Sequence, residues 1–135
     1  MSATMMNIID FQPFLDSQIS RISRYKTGDR EILTLVFIQA NKNQVSETLE
    51  TLQNNLRESD VIFHTDDFFF LVLPQTDLSG GLHIEEVLKD FLDRKDLCLT
   101  IASLPENGTT KEELFNSIST VCESSHNIDF KNYLP

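Results

Sequence analysis

Cysteine is scarce in this chain of 135 residues. Cys98 and Cys122 are the only two, and neither belongs to a CxxC pair or to a paired-histidine pattern. Disulfide frameworks and structural zinc sites need more cysteine or histidine residues at closer spacing. The sequence therefore predicts no disulfide and no bound metal. We expect both thiols to be reduced, with Cys122 buried as a small hydrophobic side chain.

Glycine is also scarce, with four residues. The pair Gly80-Gly81 lies at the start of helical sequence but lacks the third glycine of a dinucleotide-binding fingerprint. Serine and threonine are plentiful, yet the chain has no GxSxG nucleophile elbow and no glycine-rich phosphate loop. These absences argue against the common hydrolase and nucleotide-binding motifs, and we predict no cofactor.

Long apolar runs and basic residues are lacking as well. No apolar stretch approaches the ~20 residues of a membrane helix, and the amino-terminal sequence has no basic-then-apolar signal pattern. We therefore expect no membrane partner and a cytoplasmic location. The 21 acidic residues outnumber the 11 basic ones, which gives a net charge of −10. Because such a field repels phosphodiester backbones, nucleic-acid binding is not expected.

Hydrophobic residues, in contrast, make up 40% of the chain and include ten phenylalanines. This fraction is typical of a folded domain, and a chain of this length can bury a core without disulfides. We predict one domain over residues 1–135.

Apolar periodicity predicts four strands and four helices. Nearly continuous apolar runs predict strands at 32–38, 61–64, 68–73 and 97–104. Apolar residues at helical spacing predict helices at about 11–27, 45–56, 77–91 and about 110–124. In the last helix, Thr110 and Glu113 form a capping-box pattern. We assign Phe91 and Val121 to inward faces and expect an irregular tail from Ser124 onward.

The central order over about residues 30–104 is strand, helix, strand, strand, helix, strand. This is the βαββαβ arrangement of ferredoxin-like α+β folds. Strands as apolar as 32–38 and 68–73 need both faces covered, so the terminal helices, a partner or both must supply the second cover. RNA-recognition motifs share this strand order. However, the aromatic residues Phe68 to Phe70 point to alternating faces and have no flanking Lys or Arg.

Residues 56–81 carry the most specific pattern. The tetrapeptide Arg57-Glu58-Ser59-Asp60 follows a helix, the polar turn Thr65-Asp66-Asp67 separates two strands, and Leu73-Pro74 closes the second strand. This layout resembles the core of the GGDEF family, the diguanylate cyclases of bacterial cyclic di-GMP signalling. In that family an Arg-x-x-Asp pair precedes a hairpin whose tip reads GGDEF. The resemblance implies a nucleotidyl-cyclase-like core with additional helices at both ends.

The same comparison indicates that the family's chemistry is missing. The hairpin reads Thr65-Asp66-Asp67-Phe68-Phe69, a vestigial form of the signature. The family binds two divalent metals through an acidic residue of this motif and an Asp at the end of its first strand. Here Asp67 alone matches an acidic position, the first strand ends in Phe37-Ile38-Gln39, and the nucleotide-binding segment after it is absent. Because one carboxylate cannot form a two-metal site, we expect no enzymatic activity and no catalytic residue.

The pair Arg57 and Asp60 matches the family's Arg-x-x-Asp inhibitory site, which makes it a candidate cyclic di-GMP site. A structural interpretation competes with this one, because an Arg near a helix end complements the helix dipole and an Asp after it can cap the turn. His64 is either a ligand-binding residue or a half-exposed strand histidine, and we favour the second. The basic residues fit a solvated helix end, an acidic partner or an anionic ligand; they are Arg21, Arg24, Lys26 and Arg30.

The sequence therefore favours a non-catalytic GGDEF-like module that acts through protein contact. It would form a homodimer or dock with a protein partner in a bacterial signalling assembly. The alternative function is a cyclic di-GMP receptor that uses Arg57 and Asp60. The two hypotheses separate at one position, because Arg57→Ala abolishes ligand binding under the second and leaves assembly unchanged under the first.

Overall fold

A computed structural model describes residues 3–24, 32–40, 43–92 and 98–135, without the side chains of residues 23 and 24. The strands are β1 (Thr4–Met6), β2 (Leu33–Gln39), β3 (Val61–His64), β4 (Phe68–Pro74) and β5 (Leu99–Leu104). The α-helices are α1 (Phe11–Arg24), α2 (Val45–Asn55), α3 (Leu78–Phe91) and α4 (Lys111–His126). Short 3₁₀ helices lie at Ile8–Asp10 and Phe130–Tyr133.

The five strands of the described residues form one sheet in the order β1-β3-β4-β2-β5. The pairs β3–β4, β4–β2 and β2–β5 are antiparallel, and β1 lies parallel to β3. The predicted βαββαβ core with flanking helices is therefore confirmed. The strand β1 was not predicted, because three residues are too few to show a periodicity.

Both faces of the sheet are covered, which explains the continuous apolar strands. On one face Leu35 and Phe37 of β2 contribute to a core shared with α1, α4 and the 3₁₀ helix Phe130–Tyr133. On the other face Val36 and Ile38 contribute to a core shared with α2 and α3. Of the alternatives that the sequence left open for the second cover, the terminal helices α1 and α4 supply it.

Gly81 sets how closely α3 approaches the sheet. A Cβ built on this residue would lie 2.9 Å from Cγ2 of Ile101 and 3.1 Å from Cγ2 of Thr34. Such distances are shorter than ordinary van der Waals contacts, so a larger residue here would push α3 away from β2 and β5. Gly81 therefore has a packing role in this fold.

Two of the four predicted helices, α3 and α4, start with a side-chain cap. Thr110 accepts a hydrogen bond from the Glu113 N–H at 3.2 Å, as the capping-box pattern predicts. The Glu113 carboxylate accepts from the N–H of Thr109, one residue before the cap. At the start of α3 the Asp77 carboxylate accepts from the Gly80 N–H at 2.9 Å.

Three predictions about the periphery were wrong. Phe91 is 71% exposed and Val121 is 39% exposed, because α3 and α4 turn these positions away from the sheet near its edge. The tail is not irregular from Ser124 onward, since α4 continues to His126. Phe130 of the following 3₁₀ helix is fully buried. The predicted turn residues 41–42 and the predicted strand start at 97 lie outside the described residues.

Candidate functional site

The loop between α2 and β3 forms a compact corner around Asp60. The helix α2 ends at Asn55, and the carboxylate of Asp60 accepts a hydrogen bond from the backbone N–H of Arg57 at 2.8 Å. Asp60 is buried, with its side chain 3% exposed. The aspartate therefore caps the turn that reverses the chain into β3, as the structural interpretation of the pair predicted.

The side chain of Arg57 connects this corner to the loop that follows β4. Its guanidinium forms an ion pair with Asp60 at 3.2 Å and donates to the carbonyl of Pro74 and the hydroxyl of Thr76, the latter at 2.8 Å. The side chain is nevertheless 51% exposed. Arg57 thus holds two loops together while one side of its guanidinium faces solvent.

A shallow groove of about 360 Å³ lies beside this corner. It is lined in part by Arg57, Thr76 and His83, and the α3 start at Gly80 also borders it. A cation and a helix N-terminus at one groove are features that favour a negatively charged ligand. We call this region the Arg57 groove.

The opposite end of the hairpin is a tight polar turn. The Thr65 N–H donates to the carbonyl of Phe68 at 3.0 Å, and the Thr65 hydroxyl accepts from the Asp67 N–H at 3.1 Å. Asp66 and Asp67 are exposed. The Asp67 carbonyl also accepts from the Ala40 N–H at 2.9 Å, so the turn is tied by its backbone to the end of β2.

Aromatic residues cover the sheet next to this turn, and we call this region the tip cluster. The Tyr133 ring lies 5.3 Å from Phe68 and 5.4 Å from Phe37, measured between ring centroids. The Tyr133 hydroxyl accepts a hydrogen bond from the Gln39 side-chain amide at 2.9 Å. Phe130 packs 5.0 Å from Phe37 and is fully buried. The carboxyl-terminal segment therefore closes the sheet where β2 ends.

The residues at this end do not fit the two metals that the GGDEF resemblance implies. The end of β2 offers the amide of Gln39, which is already bonded to Tyr133. The carboxylates of Asp66 and Asp67 lie on the exposed turn. Within the described residues no group of three or more His, Cys, Asp or Glu side chains is placed to hold a metal ion.

His64 and the basic residues complete the predicted candidates. The His64 ring is half-buried and stacks on Phe69 with centroids 5.3 Å apart, which agrees with a strand histidine. Arg21 bonds to Gln18 on the same helix at 3.2 Å, as a solvated helix surface does. The side chain of Arg24, together with Lys26 and Arg30, lies outside the described residues.

The two thiols are close to one another in the core between β5 and α4. Both are free and buried, and the Cys122 sulfur lies 3.5 Å from the Thr100 hydroxyl. A hydrogen bond with Cys122, together with burial, raises the pKa of Cys98. The sequence did not predict that these cysteines meet, because the pairing depends on how α4 crosses β5.

Two contributions to the candidate sites were missed at the sequence level. Thr76 and Tyr133 lie far along the chain from the residues they contact, and neither belongs to a motif. The spacing of Phe130 and Tyr133, three residues apart in a polar tail, is the one signal that could have predicted a packed helical turn there.

The helices were also compared with the length and hydropathy that a bilayer requires. Among those in the described part of the chain, none is both long and apolar enough to span a membrane.

Comparison with known proteins identifies the fold. No family model matches the chain, and no curated protein sequence matches it. A solved structure of a DGC protein from Thermotoga maritima is 20% identical, with a TM-score of 0.65, and the match covers 87% of this chain and 95% of that one. The isolated GGDEF domain of a Pseudomonas aeruginosa protein called TpbB or YfiN is 18% identical, with a TM-score of 0.69, covering 93% of this chain and 87% of that one.

A further structure of the same Pseudomonas aeruginosa GGDEF domain is 19% identical, with a TM-score of 0.63, and the match covers 86% of each chain. At these identities the likeness establishes the fold. The chain has the GGDEF-domain fold, as the resemblance of residues 56–81 implied.

Proposed function

We propose that this chain is a GGDEF-like module without cyclase activity, which acts in the bacterial cytoplasm through contact with other protein surfaces. The observation that carries the proposal is the hydrogen bond between Gln39 and Tyr133 at the tip cluster. Through this bond Tyr133 lies at the end of β2, where the GGDEF resemblance implies a metal ligand.

The chemistry of nucleotidyl transfer argues in the same direction. Two-metal transfer needs carboxylates that bridge two cations beside an open nucleotide pocket. The tip cluster instead offers an amide and the aromatic rings of Phe37, Phe68 and Tyr133. The hairpin turn is also bonded to Ala40, so its backbone lies against β2.

The way the sheet is covered limits where a protein partner can bind. Helices bury both faces of the sheet, so a partner must approach the helix surfaces or a sheet edge. The net charge of −10 favours fast and selective association with basic surfaces and repels acidic proteins.

A second candidate function is cyclic di-GMP binding at Arg57 and Asp60. It is favoured by the half-exposed guanidinium at the Arg57 groove. Two features oppose it. The guanidinium already bonds to Asp60, Pro74 and Thr76, and Asp60 is too deeply buried to accept from a guanine base without movement of the corner.

The first test of the proposal is a search for product. The purified protein is incubated with GTP and Mg²⁺ or Mn²⁺, and cyclic di-GMP and pyrophosphate are measured by chromatography. We expect no product above the rate of a protein-free sample. Cyclic di-GMP formed in proportion to protein concentration would overturn the absence of cyclase activity.

The second test is isothermal titration of cyclic di-GMP. We expect no saturable heat with the unchanged protein. Saturable binding that is lost in Arg57→Ala and kept in Glu58→Ala would establish the receptor function instead. Glu58 is a suitable control because it is exposed, lies beside Arg57 and is also a long charged side chain.

A further inference from the structure

The strand β5 is an edge of the sheet, and its register with β2 shows which of its backbone groups are hydrogen-bonded to β2. Gln39 and Cys98 are opposed, and the Gln39 N–H donates to the Cys98 carbonyl at 2.9 Å. The register then continues through Phe37 opposite Thr100. In an antiparallel ladder, hydrogen-bonded pairs alternate with non-hydrogen-bonded pairs. The N–H and C=O groups of Thr100 therefore point towards β2, whereas those of Leu99 and Ile101 point outwards from the open edge of β5.

Asn107 closes one end of this edge. Its side-chain oxygen accepts from the Ser103 N–H at 2.8 Å, and its own N–H donates to the Ser103 carbonyl at 2.6 Å. Asn107 therefore occupies the place of a neighbouring strand at Ser103. In the part of the chain that the structure describes, the outward N–H and C=O groups of Leu99 and Ile101 have no such partner.

The open edge lies in a groove of about 500 Å³ between α3 and α4. Exposed apolar side chains stand on both walls, with Leu82 on α3 47% exposed and Val121 on α4 39% exposed. An unpaired strand edge with apolar residues on both sides is a surface on which another strand can add to the sheet. We call it the β5 groove.

Charge distinguishes this groove from the rest of the molecule. Its lining contains His126 and the ion pair of Glu85 with Lys89 at 3.0 Å; with histidine counted as neutral, the lining is formally neutral in a chain of net charge −10. Two copies of the chain repel one another over most of their surfaces. At the β5 groove they can meet without that repulsion.

We propose that the β5 groove is the interface of a symmetric homodimer, in which β5 pairs with β5 of a second copy. A two-fold axis at Thr100 sets Leu99 opposite Ile101 of the partner and Ile101 opposite its Leu99. All four outward groups on each copy are then paired, and Asn107 ends the ladder at Ser103. The two sheets become one antiparallel sheet across the dimer.

The charged residues of α3 are compatible with such a two-fold axis. A two-fold axis places α3 antiparallel to α3 of the second copy, so an exchange of ion pairs sets each Glu85 beside the partner's Lys89. The two-fold axis repeats this contact, so the dimer has two intermolecular ion pairs, each between a Glu85 of one copy and a Lys89 of the other. Leu82 and Val121 lose solvent contact in the same step.

This inference rests on the proposed protein-contact function and names its partner as a second copy. The first experiment combines sedimentation velocity with amide hydrogen exchange by NMR, from about 10 µM to about 1 mM protein, a range that detects weak dimers. We expect a concentration-dependent dimer. The amides of Leu99 and Ile101 should become protected as the dimer forms, while protection of Thr100, already bonded to β2, should not change.

The second experiment uses charge exchange at α3. Glu85→Lys and Lys89→Glu, each alone, place like charges across the axis and should weaken self-association by about tenfold or more. An equimolar mixture of the two variants should form a heterodimer, because opposite charges face each other again. Glu86→Lys changes the net charge by the same amount at an exposed position of α3 outside the groove lining, and should not weaken the dimer.

The outcomes separate this inference from the proposed function. A protein that stays monomeric over the whole range overturns the inference. So does a dimer that leaves the Leu99 and Ile101 amides unprotected, although protein contact through another surface then stands. A protected dimer that also makes cyclic di-GMP from GTP would support the interface and overturn the absence of cyclase activity.

Discussion

The two ends of the β3–β4 hairpin differ in how they are closed. At the tip cluster, aromatic rings and one hydrogen bond between Gln39 and Tyr133 cover the end of β2. At the Arg57 groove, a charged network joins the corner after α2 to the loop after β4 and leaves a guanidinium half in solvent. One end is held by packing and the other by polar contacts.

This difference shows which end of the hairpin carries polar side-chain contacts. The tip is where the resemblance places catalysis, and the strand end there is covered by aromatic rings, of which Phe37 and Phe130 are fully buried. The corner is where the resemblance places an inhibitory site, and it keeps an Arg and an Asp in contact. The corner contacts also stabilise the loops, so their presence does not by itself require a ligand.

The largest expected effect is on the packed end. Phe130→Ala removes a fully buried ring that contacts Phe37, Phe70 and Phe115. We expect the free energy of unfolding to fall by about 3–5 kcal/mol, because the cavity cannot fully collapse. Urea denaturation measures this change. Phe91→Ala is the matched control, since its ring is 71% exposed and its loss should cost about 0.5 kcal/mol or less.

The polar end should lose less when its buried carboxylate is removed. Asp60→Ala leaves the Arg57 N–H without its acceptor and breaks the ion pair. We expect a loss of about 1.5–3 kcal/mol, as for hydrogen bonds to a charged group. Asp66→Ala makes the same substitution at an exposed turn position. Equal losses in the two variants would show that the corner is not held by Asp60.

A single hydroxyl at the tip cluster has a smaller role. Tyr133→Phe keeps the ring contacts and removes the hydrogen bond to Gln39. We expect a loss of about 0.5–1.5 kcal/mol of unfolding free energy. The side-chain amide signals of Gln39 should also shift in NMR spectra. Unchanged amide signals would argue that the bond is not formed in solution.

The smallest expected effect is at Arg57. Arg57→Ala removes a half-exposed side chain, and pairs of this kind contribute about 0–1 kcal/mol. The comparison with Asp60→Ala is the informative one, because Asp60 also accepts from the backbone. An Arg57→Ala loss as large as that of Asp60→Ala would mean that the bridge to Pro74 and Thr76, not the cap, holds the corner.

Much of the fold followed from local sequence. The strand predicted at 32–38 is observed at Leu33–Gln39, and the hairpin strands agree to within one residue. Long apolar runs bounded by turn residues leave few other assignments. The burial of Phe130 could not be predicted in the same way, because it depends on the space that α4 and β2 leave between them.

The candidate site was predictable only in part. The contact between Arg57 and Asp60 follows from their spacing of three residues around a turn. The bonds from Arg57 to Pro74 and Thr76 cross 17 and 19 residues of chain, and only the hairpin brings these loops together. The closure of the tip cluster by Tyr133 was missed for the same reason, since Gln39 lies 94 residues away.

The position of Tyr133 also allows the tip cluster to be followed by intrinsic tyrosine fluorescence. The chain contains no tryptophan and two tyrosines, so no indole ring absorbs tyrosine emission or masks it. The phenol of Tyr133 is held between phenylalanine rings and bonded to an amide, an environment that differs from water in polarity and in hydrogen bonding. With Tyr25 replaced by Phe, ultraviolet emission from the unlabelled protein becomes a reporter of whether the end of β2 is open or closed.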